Sequence, residues 1–71
     1  MTLVWRGNTA YDRDGRPRFA VAREKHGFYL YRYTIRLDGI STFRSKEKVR
    51  DRAAGMRYAD NLWALSGGRT R

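Results

Sequence analysis

The sequence predicts an α+β domain in which a four-stranded antiparallel meander is packed on one face by a single C-terminal helix. Three observations support this: the chain has only 71 residues, turn sequences divide its first 40 residues, and a helical pattern fills most of the rest. A chain this short forms one domain with one small core. We expect this domain at residues 1–65, with the sheet at about 3–44 and the helix at about 46–65, and a basic flexible tail at 66–71.

Three turn sequences separate segments that are rich in aromatic and β-branched residues. They are Arg13-Asp14-Gly15, Lys25-His26-Gly27 and Asp38-Gly39. The first two are typical of three-residue hairpin loops that end in a left-handed glycine, and the third is typical of a two-residue loop. Because loop length decides which residues pair, these loops predict the register of the whole sheet.

This register places most of the aromatic and aliphatic side chains on one face, which we expect the helix to cover. The expected members of that face are Trp5, Tyr11, Phe19, Val21, Tyr29, Tyr31, Tyr33, Ile35, Leu37 and Ile40. Strict alternation puts Phe43 on the other face. We therefore expect the last strand to end or bulge before Phe43, so that the ring turns toward the helix.

The helix is predicted to begin after Ser45 as its N-cap, with Glu47 in the first turn near the positive end of the helix dipole. It should end before Ser66-Gly67-Gly68, which is a typical stop sequence. One apolar stripe is expected to cover the sheet, and it consists of Val49, Ala53, Met56 and Trp63.

A second apolar stripe lies on nearly the opposite side of the predicted helix. It consists of Ala54, Tyr58, Leu62 and Leu65. One helix on one sheet cannot bury both stripes. The second stripe is therefore expected to be an interface, in a symmetric homodimer or with another protein, and the alternative is an exposed stripe with no role. Gly55 lies beside it, where alanine would be more stable by roughly 0.5–1 kcal/mol.

Composition excludes several classes of function. There is no Cys, which removes disulfides, thiolate nucleophiles and zinc fingers. The single histidine, His26, has no partner at a catalytic spacing, and Asp12 and Asp14 are explained by their turn. We therefore expect no enzymatic activity, cofactor, metal or small-molecule substrate. No apolar run approaches the roughly 20 residues of a membrane span and no signal peptide is evident, so a cytoplasmic protein is expected.

The positive charge is concentrated in the predicted sheet. The chain has 13 Arg and 3 Lys against 7 acidic residues, for a formal charge of +9. Residues 16–44 hold seven basic and two acidic side chains, or +5. The outer face is predicted to carry Arg6, Arg18, Ala20, Ala22, Arg32, Thr34, Arg36 and Ser41.

Arginine on such a face can bind phosphate and read guanine through two hydrogen bonds, while small neighbours allow a strand to approach the major groove. Duplex DNA is therefore the expected partner. The predicted nucleic-acid-binding residues are Arg6, Arg18, Arg32, Thr34, Arg36 and Arg44.

Two alternatives remain open. The arginines can be ordinary solvated positions on a strand, or they can bind an acidic protein.

The Tyr-rich segment 28–33 is also typical of platforms that stack single-stranded bases. Its period of two beside Ile35 and Leu37 favours a core face, but the stacking interpretation gains if the helix covers the even-numbered residues instead.

From Thr34 to Leu65, a strand, an Asp-Gly turn, a short strand ending in Phe43 and the segment 44–49 opening a helix form a recognisable pattern. It resembles the arm-type DNA-binding domain of tyrosine recombinases and the GCC-box-binding domain of plant transcription factors. Both place a three-stranded sheet in the major groove and brace it with a C-terminal helix. The resemblance implies that Arg18, Arg32 and Arg36 face the groove.

This chain departs from that pattern in its extra N-terminal strand with Trp5 and in its Tyr-rich central strand. In size and composition it is also similar to small orphan proteins of actinobacterial phages, which often act on a host protein. That likeness implies the alternative function, a module that binds and inhibits a host protein through the second helix stripe. An acidic host protein would satisfy the positive charge equally well.

Overall fold

One antiparallel sheet and one C-terminal helix make up residues 3–66, the part of the chain that the computed structural model describes. The elements are β1 (Val4–Arg6), β2 (Thr9–Tyr11), β3 (Pro17–Glu24), β4 (Gly27–Ile35), β5 (Ser41–Val49) and α1 (Arg52–Leu65). The strands lie in chain order, β1-β2-β3-β4-β5. The α+β class and the meander are confirmed, but the sheet has five strands rather than four. Of the predicted basic tail, residues 67–71 lie outside the described residues.

The fifth strand arises from a tight turn that sequence reasoning missed. Arg6 pairs with Thr9, so Gly7 and Asn8 form a two-residue loop that folds the first predicted strand back on itself. Gly7 has a φ of 61°, and a positive φ at the first of two loop residues is the type II′ pattern that joins hairpin strands. Arg52 fastens this hairpin to the start of α1, because its Nε donates to Asn8 Oδ1 at 2.6 Å.

The turn between β3 and β4 is one residue shorter than predicted. Glu24 pairs directly with Gly27, so the loop contains only Lys25 and His26. A slip of one residue turns every side chain of a strand to the other face. The faces predicted for β4 are therefore wrong. The odd-numbered residues lie on the face of the sheet that points away from the helix, and Phe28, Leu30 and Arg32 lie on the face that packs against it.

The turn between β4 and β5 is one residue longer than predicted. The backbone N–H of Arg36 donates to the carbonyl of Ile40 at 2.9 Å, which leaves Leu37, Asp38 and Gly39 in the loop. Leu37 is fully exposed and Ile40 is 56% exposed. Their predicted place in the core is wrong.

The helix begins later than predicted because β5 continues through the segment that was expected to start it. β4 is nine residues long, and β5 pairs with it from Ser41 to Val49, which satisfies the backbone groups along that edge. Ser45 and Glu47 are strand residues rather than a cap and a first turn. The N-cap is Asp51, whose side chain accepts a hydrogen bond from Ala54 N at 2.8 Å. The end of the helix at Leu65 agrees with the prediction.

The core lies between α1 and the face of β3 and β4 that turns toward it. Its buried apolar residues are Leu3, Ala10, Phe19, Val21, Leu30, Ala59 and Trp63. The rings of Phe19 and Trp63 meet edge to face, with centroids 6.5 Å apart. Trp5 and Met56 pack against this cluster as predicted, whereas Ala53 is exposed.

Gly55 is buried at the closest approach of the helix to the sheet, not beside an outward stripe. A Cβ atom at this position would lie 2.9 Å from Val21 Cγ2 and 3.1 Å from Val49 Cγ2. The absence of a side chain therefore allows α1 to pack against β3 and β5. Alanine would not be the better residue here, despite its higher helix propensity.

Candidate nucleic-acid interface

The register divides the sheet into two faces. We call the face that packs on α1 the covered face, and the opposite one the open face. Directly paired residues share a face and alternate along each strand, so the pairs Arg6–Thr9, Thr9–Ala20, Ala20–Tyr31 and Tyr31–Lys46 trace the open face across all five strands. Its other side chains at paired positions are Val4, Tyr11, Pro17, Ala22, Glu24, Tyr29, Tyr33, Ile35, Ser41, Phe43 and Lys48.

A row of aromatic rings runs along the middle of the open face. Tyr29, Tyr31 and Tyr33 follow one another at every second position of β4, and each is half-buried. Phe43, on β5, pairs with Tyr33 and is 59% exposed. Its ring centroid lies 6.0 Å from that of Tyr31. On β3, Ala22 pairs with Tyr29 and Ala20 pairs with Tyr31, so these two tyrosines have small cross-strand neighbours.

Cations lie over these rings. The Nζ atom of Lys46 is 4.8 Å from the ring centroid of Tyr29 and 5.6 Å from that of Tyr31. At the β1–β2 end of the sheet, the guanidinium carbon of Arg6 is 5.8 Å from the ring centroid of Tyr11. All three distances are within the range of cation–π attraction.

Glu24 provides the carboxylate of the open face and ties two of its groups together. It accepts hydrogen bonds from the hydroxyl of Tyr31 and from Lys46 Nζ, the latter at 3.0 Å. Against this carboxylate the open face carries three cations, Arg6, Lys46 and Lys48. The open face therefore has a positive surplus together with partly exposed aromatic rings.

Arg18, predicted to face outward, is buried instead, and this correction has a geometric cause. Arg18 is the extra residue of a β-bulge, because Pro17 and Phe19 pair with the consecutive residues Tyr11 and Ala10. A bulge interrupts the alternation of side chains, so Arg18 and Phe19 are both buried. The guanidinium carbon lies 5.4 Å from the ring centroid of Trp63.

The carboxylate partner of Arg18 is Asp12. Arg18 Nε donates to Asp12 Oδ2 at 2.7 Å, while Asp12 Oδ1 accepts from the backbone N–H groups of Asp14 and Arg16. Burial raises the pKa of Asp12, but these hydrogen bonds and the nearby guanidinium outweigh it, so the pKa lies below its ordinary value of 3.8. The pair therefore stabilises the fold above the unfolded pKa, and this stabilisation is lost as the pH falls through the lowered value.

Arg32 and Thr34 were also predicted on the outer face, and both predictions are wrong. They lie on the covered side because of the shorter β3–β4 loop. Arg32 Nη1 is 3.3 Å from Glu47 Oε1. Tyr58 on α1 donates from its hydroxyl to Glu47 Oε2 at 2.9 Å, and this hydrogen bond raises the pKa of Tyr58. Thr34 Oγ1 is 3.2 Å from Thr42 Oγ1.

The other predicted binding residues are accessible. Arg6 lies on the open face, as expected. Arg36 is exposed at the β4–β5 loop, with Nη2 at 3.2 Å from Asp38 Oδ2. Arg44 is the exposed extra residue of a second bulge, because Phe43 and Ser45 pair with the consecutive residues Tyr33 and Arg32. A role of these arginines in nucleic-acid binding stays a prediction.

The second helix stripe is not a continuous exposed ridge. Leu62 is partly buried against the core, and Tyr58 is bonded to Glu47. Ala54 is half-buried, and only Leu65 is largely exposed, at 84%. A homodimer through this stripe stays a prediction, with a smaller apolar surface than the helix pattern implied.

Sequence reasoning assigned the most prominent residues of the open face to other places. The tyrosines were expected in the core, and Lys46 and Lys48 in the helix. Segment 45–49 carried a usable signal, because its lysines alternate with Ser45, Glu47 and Val49 as they do in a strand with two different faces.

No protein-family model matches this chain, and searches of curated proteins and of solved structures find no match. The resemblance to sheet-plus-helix DNA-binding domains therefore stays a prediction. Within residues 3–66, no helix combines the length and apolar character needed to cross a membrane. In the same residues, no group of three or more His, Cys, Asp or Glu side chains is placed to hold a metal ion.

Proposed function

We propose that this protein binds nucleic acid, with DNA as the first candidate, through the open face of its sheet. The observation that carries the proposal is the row of partly exposed rings with Lys46 lying over two of them. Proteins that bind nucleic acid without a deep cleft combine a positive surface for the phosphates with flat side chains for the bases. The open face carries both on one sheet.

The charge distribution supports the same proposal. The chain carries a formal charge of +9, which favours encounter with any polyanion. On the covered face, Arg18 and Arg32 are each held by a carboxylate. The open face has three cations and one carboxylate, so part of its charge is available for a ligand.

The proposed binding face differs from the one predicted from the sequence, in which arginines on the outer face of the sheet contact the major groove of DNA. Arg18 and Arg32 lie on the helix side, so they cannot supply contacts from the open face. Arg6 remains there, and Arg36 and Arg44 extend the positive surface at the β4–β5 end. In this proposal, phosphate contacts come mainly from lysines, and the rings contact the bases.

The test is a salt titration of binding to labelled, mixed-sequence DNA, single-stranded and duplex. Log affinity should fall linearly with log salt. Neutralisation of three to five phosphates gives a slope of roughly −3 to −4.5 for the duplex and roughly −2 to −3.5 for the single strand. Lys46→Ala should weaken binding several-fold and reduce the slope by about 1.

Arg57→Ala is the matched control, because it removes the same charge from an exposed position on α1. It should change the affinity much less than Lys46→Ala. Absence of binding to either DNA at about 50 mM salt would refute the proposal, since electrostatic binding is strong at low salt. Equal effects of the two variants would show that the open face has no special role.

A further inference from the structure

We infer that the ligand of the open face is a single strand, whose bases stack on the rings of Tyr29, Tyr31, Tyr33 and Phe43. This inference rests on the proposed function, and it names the class of nucleic acid. Three features of the open face support it: the chemistry of its central residues, the spacing of the rings, and the contacts that hold the rings in place.

The central residues of the open face present surfaces that match base faces better than base edges. Readers of duplex DNA need side chains that reach into a groove and exchange hydrogen bonds with base edges, mostly Arg, Asn and Gln. Along β3 and β4 the open face instead offers Ala20, Ala22 and the tyrosines. Rings of this kind stack on any base, because every base has a π-face.

The spacing of the rings also favours unpaired bases. Same-face residues of a strand are separated by two steps of roughly 3.3 Å, so Tyr29, Tyr31 and Tyr33 are spaced at roughly 6.6 Å. Bases in a duplex are stacked about 3.4 Å apart, and their faces are covered by their neighbours. Only a strand whose bases can be splayed out can place successive bases on successive rings.

Contacts within the open face fix the position of Tyr31 and place a cation beside the rings. The hydroxyl of Tyr31 is bonded to Glu24, and its ring meets Phe43 at an interplanar angle of 62°. The Nζ atom of Lys46 lies over the rings of Tyr29 and Tyr31 and 3.0 Å from Glu24 Oε1, so a base that stacks on the same side of these rings displaces it. A strand that follows the rings would pass Lys46 and Lys48 with its phosphates. With one base per ring, the row accommodates about four nucleotides, at the short end of single-strand binding sites.

The experiment compares four labelled ligands of equal length by fluorescence anisotropy at fixed low salt. They are a mixed-sequence DNA strand, its duplex, the corresponding RNA strand, and an abasic deoxyribose-phosphate strand. We expect both base-bearing single strands to bind at least about tenfold more tightly than the duplex and the abasic strand, because stacking on two or more rings is absent from the latter two. Comparison of the affinities for the DNA strand and the RNA strand shows which of the two the open face prefers.

Ring variants test the same inference from the protein side. Tyr33→Leu and Phe43→Leu should each weaken single-strand binding about 5- to 100-fold, while Tyr33→Phe should retain most of the affinity. Phe43 is the safer position, because its exposure means that its replacement leaves the core intact. Circular dichroism melts establish that each variant is folded.

The outcomes separate this inference from the proposed function. Equal binding of the abasic and base-bearing strands overturns the inference, as does tighter binding of the duplex with no effect of the leucine variants. In both cases the proposed function would stand if Lys46→Ala still weakened binding more than Arg57→Ala. If none of the four ligands binds, the proposed function fails and this inference fails with it.

Discussion

The two faces of the sheet carry the same kinds of residue, aromatic rings and cations, but hold them differently. On the covered face, Trp63 is 4% exposed and contacts both Phe19 and Arg18. The arginine is bonded to the carboxylate of Asp12. Its charge and the ring are thus both used within the fold.

On the open face the corresponding groups remain accessible. Lys46 lies over the rings of Tyr29 and Tyr31, and Phe43 is mostly exposed. Glu24 compensates only part of the positive charge. The difference shows that residue type alone does not determine whether a ring and its cation are buried in this chain. A cation–ring pair is structural where the helix covers it and a carboxylate binds the cation, as at Arg18 and Trp63. It is a candidate ligand site where no helix covers it, as at Lys46 and Tyr29.

The largest effect that the comparison predicts is on stability, at Trp63. Trp63→Ala removes the ring that joins α1 to Phe19 and Arg18, and we expect it to lower the free energy of unfolding by about 3–5 kcal/mol. Urea denaturation followed by circular dichroism measures this. The matched change on the open face is Tyr33→Leu, which should cost no more than about 1 kcal/mol, because no helix packs there. Similar losses for both variants would contradict the division into covered and open faces.

Much of the covered face was predictable from the sequence, and the reason is physical. Trp5, Phe19, Val21 and Trp63 keep their core positions whichever loop joins β3 to β4, because none of them depends on that loop. β4 does depend on it. The sequence Lys25-His26-Gly27 is compatible with a two-residue or a three-residue loop. In the structure Gly27 pairs with Glu24, so the loop has two residues.

The open face was less predictable because β4 has apolar character on both sides. Phe28 and Leu30 alternate with the tyrosines, so the pattern alone allows either set to be buried. Burial of Phe28 and Leu30 is favoured because they have no polar atoms to satisfy, whereas each tyrosine hydroxyl needs a partner or water. Tyr31 finds its partner in Glu24 at the surface.

A smaller effect is expected at Gly55, where helix propensity and packing make opposite predictions. Propensity alone favours alanine by about 1 kcal/mol. The added Cβ would lie 2.9 Å from Val21 Cγ2, so we expect Gly55→Ala to destabilise the protein by about 1–3 kcal/mol in the same urea assay. Asn61→Ala, at an exposed position of α1, should be neutral or slightly stabilising.

A double-mutant cycle assigns the cause of the Gly55 effect. In a Val21→Ala background the nearest methyl group is absent, so the cost of Gly55→Ala should shrink markedly. If Gly55→Ala stabilises the protein in both backgrounds, the helix does not approach the covered face as closely as the structure shows.

The smallest expected effect has the opposite sign and concerns the carboxylate of the open face. Glu24→Gln removes the negative charge beside Lys46 but keeps a side chain that can accept from Tyr31. An exposed ion pair of this kind contributes roughly 0.2–1 kcal/mol, so releasing Lys46 should tighten DNA binding by about 1.5- to 5-fold. Stability should hardly change. Asp14→Asn changes the net charge equally from the β2–β3 loop and should leave the affinity almost unaltered, as measured by anisotropy at low salt. Weaker DNA binding by Glu24→Gln would mean that the carboxylate of Glu24 contributes more by positioning Tyr31 and Lys46 than it costs by repelling phosphate. The open face would then need Glu24 to position its side chains, as the covered face needs Asp12 to hold Arg18.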